Sequence, residues 1–324
     1  FLLVSDTDGL AAYDGRETAP ASASPAMFLG TDGKPREFED IATGGLAVGA
    51  PGAVAALAQA HRHHGRLPWA ALFAPAIRLA DNGFTVSPLL AEAIAELDGG
   101  ALHASMRQAY FTPEGQPRRA GETLRDPQLA ATLRRIAAEG RDGFYKGPVA
   151  AATIEAVEKS GRNPGRMTLA DLAGYQARAG EAVCRAYRTH KVCTTPAPSG
   201  GVTLLQILGL LEKFSSDDLR PGSYEQIHLM TQAGRLAYSD RARWMADPGL
   251  VPVPEVGLLD RSYLQRRAAA ARAARDSGAV AAGEPPLKGA QPVDFAPQRT
   301  PVFHGTTHLS IVDAAGQVVS MTSS

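Results

Sequence analysis

The residues with the clearest chemical potential are Gly305-Thr306-Thr307-His308, which follow a long Pro-rich stretch. A Thr hydroxyl is a weak nucleophile until a base stands beside it. One economical base is the α-amine of the same residue, which exists only once the bond before it has been cut. Glycine at 305 leaves that scissile carbonyl uncrowded and lets the backbone bend. The plainer account is a strand entry, because Thr is β-branched and Gly punctuates loops. On these four residues alone the strand account is the stronger.

Three other groups carry possible chemistry. Arg16 lies in a loop just after a strand pattern, where binding residues often sit. Its guanidinium can grip a carboxylate through two parallel hydrogen bonds, or it can simply pair with Asp14 or Glu17 on the surface. His61 and His64 lie on one helix face and could share a metal, with His63 between them. A metal site needs further ligands, and a helix end before Gly65 suits partial positive charge without one. Ser199-Gly200-Gly201 precedes a helix, as an anion-binding loop does, but it lacks the Lys and spacing of a phosphate loop. A turn or a packing contact is the alternative there. The absence of a Gly-x-Ser-x-Gly elbow argues against a standard α/β-hydrolase.

Composition narrows the class. Hydrophobic residues make up 44% and charged residues 20%, the proportions of an ordinary globular protein. Lys plus Arg (33) equals Asp plus Glu (33), which argues against a broad nucleic-acid surface. No apolar run approaches the roughly 18 residues of a membrane-spanning helix. The chain begins at Phe1 without Met and without the basic region of a signal peptide, and it ends inside a strand pattern. A piece of a longer protein is the expectation. Cys184 and Cys193 would face each other if 183–187 and 190–193 pair as a hairpin, but two buried free thiols are the expected state.

Neighbouring sequence reverses the preference at Thr306. Thr306-Thr307-His308-Leu309-Ser310-Ile311-Val312-Asp313, with Gly316 and 318–323 after it, resembles the start of the small subunit of γ-glutamyltransferases. Asp14-Gly15-Arg16-Glu17-Thr18-Ala19-Pro20 is similar to that family's large-subunit motif. Pro196-Ala197-Pro198-Ser199-Gly200-Gly201 and Ala237-Tyr238-Ser239-Asp240-Arg241 also match, in order and in approximate spacing. The resemblance covers essentially the whole chain, and four ordered motifs are far more specific than one.

The resemblance implies an α+β protein of the N-terminal nucleophile hydrolase type, an αββα sandwich made as an inactive precursor. The precursor would cut itself between Gly305 and Thr306, making 1–305 part of a large subunit and 306–324 the start of a small one. The implied activity is γ-glutamyl transfer or hydrolysis of glutathione-like amides through an ester on Thr306. The acceptor would be an amino acid, a dipeptide or water. A related amidohydrolase or cephalosporin-type acylase would use the same nucleophile. An uncut, non-enzymatic binding protein is the reading from another class.

By the same resemblance Arg16 holds the substrate α-carboxylate, with Glu17 in support. Thr307 and Ser324 are helpers to the nucleophile. The family usually carries Thr at the position of Ser324, so this chain keeps the hydroxyl and loses the methyl group. Thr322 is a nearby alternative. His308 would point opposite to Thr307 along a strand and reads as structural. No cofactor and no metal is implied, nor any nucleic-acid partner. The implied location is periplasmic or secreted.

The elements that must position these residues are legible in part. Residues 1–4 and 10–14 read as strands, and 309–312 with 317–321 as a hairpin around Ala314-Ala315-Gly316. Helical patterns begin at Gly52 and cover 72–82, 88–97, 149–160, 201–214 and 259–275. Asp126-Pro127 marks the start of a helix ended by Gly140. Thr168 to Asp171 and Ser223 to Gln226 have the spacing of capping boxes, the second opening a helix to about Met245. Residues 277–301 read as loop. The result is a mostly helical chain with strands at both ends.

Overall fold

The computed structural model describes residues 1–97, 99–100, 102–272, 278–287 and 306–323. They form two compact units, one of Gly15–Arg178 and one of Phe1–Asp14 with Ala179–Ser324.

In the Gly15–Arg178 unit, helices are started and stopped by the expected local chemistry. Asp126 accepts from the Leu129 amide at 2.9 Å, Pro127 takes the first helical position, and Gly140 ends Pro127–Glu139 at φ 64°. The Thr168 capping box is complete: Thr168 Oγ1 accepts from the Asp171 amide at 3.2 Å, and Asp171 returns with 2.7 Å to the Thr168 amide. The same carboxylate accepts from the Ala21 amide at 2.8 Å, tying the loop after residue 18 to the helix Leu169–Gly174. That amide is the main reason the Asp171 pKa is lowered. The stability it contributes is therefore present above the ordinary carboxylate range and fades as acid protonates the group. Tyr145, Ala150, Met167, Leu172 and Tyr175 form the core beneath the start of the helix Ala53–His64.

The other unit is organised around a five-stranded sheet. Its strand order is Arg178–Glu181, Gly9–Asp14, Leu2–Asp6, Val318–Ser323, Thr307–Val312. Both ends of the chain meet in it, with Leu2 opposite Met321 and Val4 opposite Val319. Alternation of inward and outward residues fixes that register, since a slip by one would turn Leu2 and Val4 out of the core. The strand Thr307–Val312 lies at one edge.

Val183–Tyr187 and His190–Thr194 form a separate hairpin that places Cys184 directly opposite Cys193. The cysteines are joined as a disulfide across a Cα separation of 4.0 Å. The expected pair of free thiols is thus overturned. A tight turn through Arg188, which takes a positive φ of 52°, sets the two strands in the one register that makes the sulfurs neighbours.

Ser223 caps the helix Tyr224–Trp244 through the Gln226 amide, but the box is not reciprocal. The Gln226 side chain instead accepts from the Gly222 amide at 2.7 Å, one residue before the cap.

Asp240, fully buried on that helix, is the polar centre of this unit. It accepts from Gln206 Nε2 at 2.5 Å, Tyr263 Oη at 2.6 Å, Arg267 Nη2 at 2.7 Å and the Gly283 amide at 2.7 Å. One carboxylate therefore binds the helices Gly201–Leu211, Tyr224–Trp244 and Arg261–Ala271 to the segment 278–287. Burial and the hydrogen bond to Asp240 push the Tyr263 pKa strongly up, so its phenol remains a donor. The segment gains further ties from Ser239 Oγ to the Val280 carbonyl at 2.7 Å and Trp244 Nε1 to the Gly283 carbonyl at 2.8 Å. Residues 278–287 contain no helix or strand, as the loop expectation has it; residues 288–305 lie outside the described residues.

Candidate active site

The candidate nucleophile stands at the mouth of an edge strand. Thr306 is exposed and immediately precedes Thr307–Val312. Thr307 is the first strand residue and faces Ser323 across the hairpin. The strand's neighbour, Val318–Ser323, is reached through a turn in which the Asp313 carboxylate accepts from the Ala315 and Gln317 amides, with Gly316 at φ 80°. Gly305 and Ser324, the two other residues expected at the cut and beside the nucleophile, lie outside the described residues.

His308 is held on the strand face that excludes Thr307. Its Nδ1 is 2.8 Å from Thr322 Oγ1, directly opposite in the register, and its Nε2 is 3.1 Å from Ser310 Oγ. The imidazole thus joins a cross-strand polar row, which agrees with a structural histidine. The row also occupies the Thr322 hydroxyl. The alternation His308, Ser310 and Ser320, Thr322 is a period-2 signal that would have revealed it from sequence once the hairpin register was set.

Arg16 belongs to the Gly15–Arg178 unit, and its loop is clamped on several sides. Thr18 and Ala50 exchange backbone hydrogen bonds of 3.2 and 2.8 Å. The Arg16 carbonyl accepts from Tyr175 Oη at 2.7 Å. Gly15 passes so close to the helix Ala53–His64 that a Cβ on it would lie 2.7 Å from Ala56 Cβ. Beyond this fixed backbone the side chain is 53% exposed, with its Nε 3.7 Å from Glu17 Oε1. The surface pair with Glu17 is therefore present. A pair this exposed is worth at most about 1 kcal/mol, so a substrate carboxylate could displace it.

The remaining sequence candidates have structural duties. Ser199 Oγ donates to the Thr195 carbonyl at 2.7 Å and accepts from the Gly201 amide at 3.2 Å. A Cβ at Gly201 would fall 1.7 Å from Thr194 Oγ1, so packing demands this glycine. Arg241 donates to the Ser199 carbonyl at 3.3 Å, so two of the four motifs meet here. His61 Nε2 lies 2.8 Å from the Leu67 carbonyl, and its ring meets Trp69 edge-on. Among the described residues no group of three or more His, Cys, Asp or Glu stands ready for a metal ion.

Sequence reasoning missed Tyr145 and Tyr175, and it placed Asp240 in a motif without assigning it a role. Nothing local marks a tyrosine that will reach a carbonyl 159 residues away. Asp240 has partners 23 to 43 residues away, which its motif does not reveal.

The profile of the family described as gamma-glutamyltranspeptidase matches residues 1–324. The chain is 35% identical over 328 residues to the glutathione hydrolase proenzyme of Bacillus subtilis (strain 168), covering 99% of this chain and 55% of that protein. It thus spans about half the length of the curated relatives it matches. Its structure superposes on the Helicobacter pylori gamma-glutamyltranspeptidase with a TM-score of 0.81 at 30% identity, covering 86% of this chain and 80% of that one. The cephalosporin acylase of Bacillus halodurans gives a TM-score of 0.80 at 27% identity, over 99% of this chain and 56% of that one. The α+β fold of the N-terminal nucleophile hydrolase type is common to these structures and this one. Four ordered motifs, the whole-chain profile and the shared fold agree: the chain belongs to the γ-glutamyltranspeptidase family.

Proposed function

We propose that the full-length protein is a self-cleaving γ-glutamyl transferase or hydrolase of glutathione-like amides, with Thr306 as its nucleophile. The observation that carries this is Thr306 itself, exposed at the entry of an edge strand in a chain of this family. The relatives named proenzymes support the cut. Residues 1–305 would then be large-subunit sequence and 306–324 the beginning of the small subunit. A periplasmic or secreted location is part of the proposal. Among the described residues no helix is long and apolar enough to cross a membrane.

The chemistry balances in two stages. In the first, Thr306 Oγ attacks the Gly305 carbonyl carbon, the Gly305–Thr306 amide breaks, and an ester replaces it. Water hydrolyses the ester, leaving a Gly305 carboxylate and a free Thr306 α-amine. In the second, that amine, with a reference pKa of about 8, takes the hydroxyl proton as Oγ attacks the substrate γ-carbonyl. The leaving amine receives the proton and a γ-glutamyl ester remains on Thr306. Water, an amino acid or a dipeptide accepts the glutamyl group and restores the hydroxyl. Arg16 holds the substrate α-carboxylate in a two-point grip, and Glu17 keeps the guanidinium in place before substrate arrives.

Arg16→Lys tests the substrate assignment. Lysine keeps the charge and loses the planar fork. Loss of one charge-assisted hydrogen bond, on the order of 1.5 kcal/mol, corresponds to about a tenfold rise in KM for γ-glutamyl-p-nitroanilide, with self-cleavage intact. An unchanged KM would remove Arg16 from the site. The shared fold of the cephalosporin acylase makes an acylase the second reading. A panel of γ-glutamyl amides against cephalosporin side-chain amides separates the two, and preference for the latter would overturn the proposal.

Ser324→Ala is expected to slow turnover without abolishing it, because Thr306 keeps its own amine as base. The rate must be normalised to the amount of cut chain, since poor processing would imitate poor catalysis. A normalised kcat equal to that of the unaltered protein would remove Ser324 from the catalytic machinery.

A further inference from the structure

The Arg16 loop rests on two stacked, buried tyrosines, and we propose that Tyr175 is a positioning residue that sets where the Arg16 guanidinium meets a substrate carboxylate. The inference depends on the reading of Arg16 as the carboxylate-binding group. Tyr175 is 4% exposed, and its hydroxyl donates to the Arg16 carbonyl at 2.7 Å. Its ring lies parallel to that of Tyr145, with centroids 5.8 Å apart and planes within 5°.

Each phenol serves a different segment. Tyr145 Oη donates to the Pro51 carbonyl at 2.6 Å and accepts from the Ala55 amide at 3.3 Å, satisfying an early donor of the helix Ala53–His64 that no side-chain cap reaches. Tyr175 Oη serves the Arg16 loop. Arg141 fixes the pair by donating to the Tyr175 carbonyl at 2.7 Å and lying 5.0 Å from the Tyr145 ring centroid.

The space around the Tyr175 hydroxyl is closed. A Cβ at Gly52 would lie 2.0 Å from that oxygen and 2.2 Å from the Gly15 carbonyl. Helix, loop and phenol therefore meet at a point where only glycine fits. The result is an arginine with a rigid root and a half-exposed tip. Two-point recognition of a carboxylate depends on the angle of the guanidinium plane, so a loosened root weakens binding while the reacting Thr306 is unaffected.

Tyr175→Phe keeps the ring and the stack and removes the one donor to Arg16. KM for γ-glutamyl-p-nitroanilide is expected to rise about three- to tenfold, as the loss of one net hydrogen bond predicts, with kcat per cut chain within about twofold. The same change made on Arg16→Lys should add nothing further to KM. A KM unchanged by Tyr175→Phe, or raised by the same factor in both backgrounds, overturns the positioning role. If Arg16→Lys itself leaves KM unchanged, the underlying reading of Arg16 fails instead. If Tyr175→Phe does not fold, fluorotyrosine placed at position 175 is the second variant. It keeps the ring and the hydroxyl but alters the donor to the Arg16 carbonyl, and it must shift KM alone and not on Arg16→Lys.

Discussion

Full-length protein carrying Thr306→Ala is expected to remain a single uncut chain with no measurable turnover. Alanine keeps the strand entry and removes the hydroxyl that attacks the Gly305 carbonyl in the proposed first stage. The same hydroxyl forms the substrate ester, so both stages are lost together. Thr306 is exposed, which means the substitution leaves no cavity and should not disturb the sheet. Thr306→Ser retains the hydroxyl and should still cut. Denaturing electrophoresis with intact mass checks both. Two chains appearing in the alanine variant would assign the nucleophile elsewhere.

The second large effect is on stability. Asp240→Asn keeps one acceptor oxygen and puts an NH2 where two of the four present hydrogen bonds are accepted. It also leaves Arg267, whose side chain is 14% exposed, without its buried counter-charge. Breaking a buried pair from one side costs about 3–5 kcal/mol. The thermal midpoint should fall on the order of 10 °C. The loss should spread to 278–287, because Gly283 and Arg267 both hold that segment through Asp240, and protease should then cut there first. A midpoint within about 2 °C of the unaltered protein would mean that the surrounding packing, not the carboxylate, holds these elements together.

What the sequence revealed follows the range of the forces involved. Asp126, Thr168 and Ser223 announce helix starts because capping is decided within three residues. The hairpin from 307 to 323 is legible because alternation and the Asp313 to Gly316 turn are local. Pairing of residues near Phe1 with those near Thr322 depends on contacts up to 321 residues apart, so the sequence shows strands at both ends but not that they are neighbours. The hairpin that makes Cys184 and Cys193 face each other was legible, but the bond between them was not, because two cysteines in so long a chain read as free thiols. Gln226 has the spacing of a reciprocal cap, yet its side chain finds the Gly222 amide, a nearby competitor that spacing does not reveal. Tyr175 and Asp240 act over long separations, so their partners emerge from packing alone. Thr306 and Arg16 are proposed from motif and chemistry, while the tyrosines that hold the Arg16 loop carry no sequence signal.

The central claim is that cutting at Thr306 creates the catalyst. Freshly made full-length precursor should be sampled over time, with new α-amines mapped by peptide mass and γ-glutamyl-p-nitroanilide turnover followed in the same samples. A new N-terminus at Thr306 is expected, and activity should rise from zero in proportion to it. Full activity in the uncut chain, or a new N-terminus at any other residue, would contradict the account.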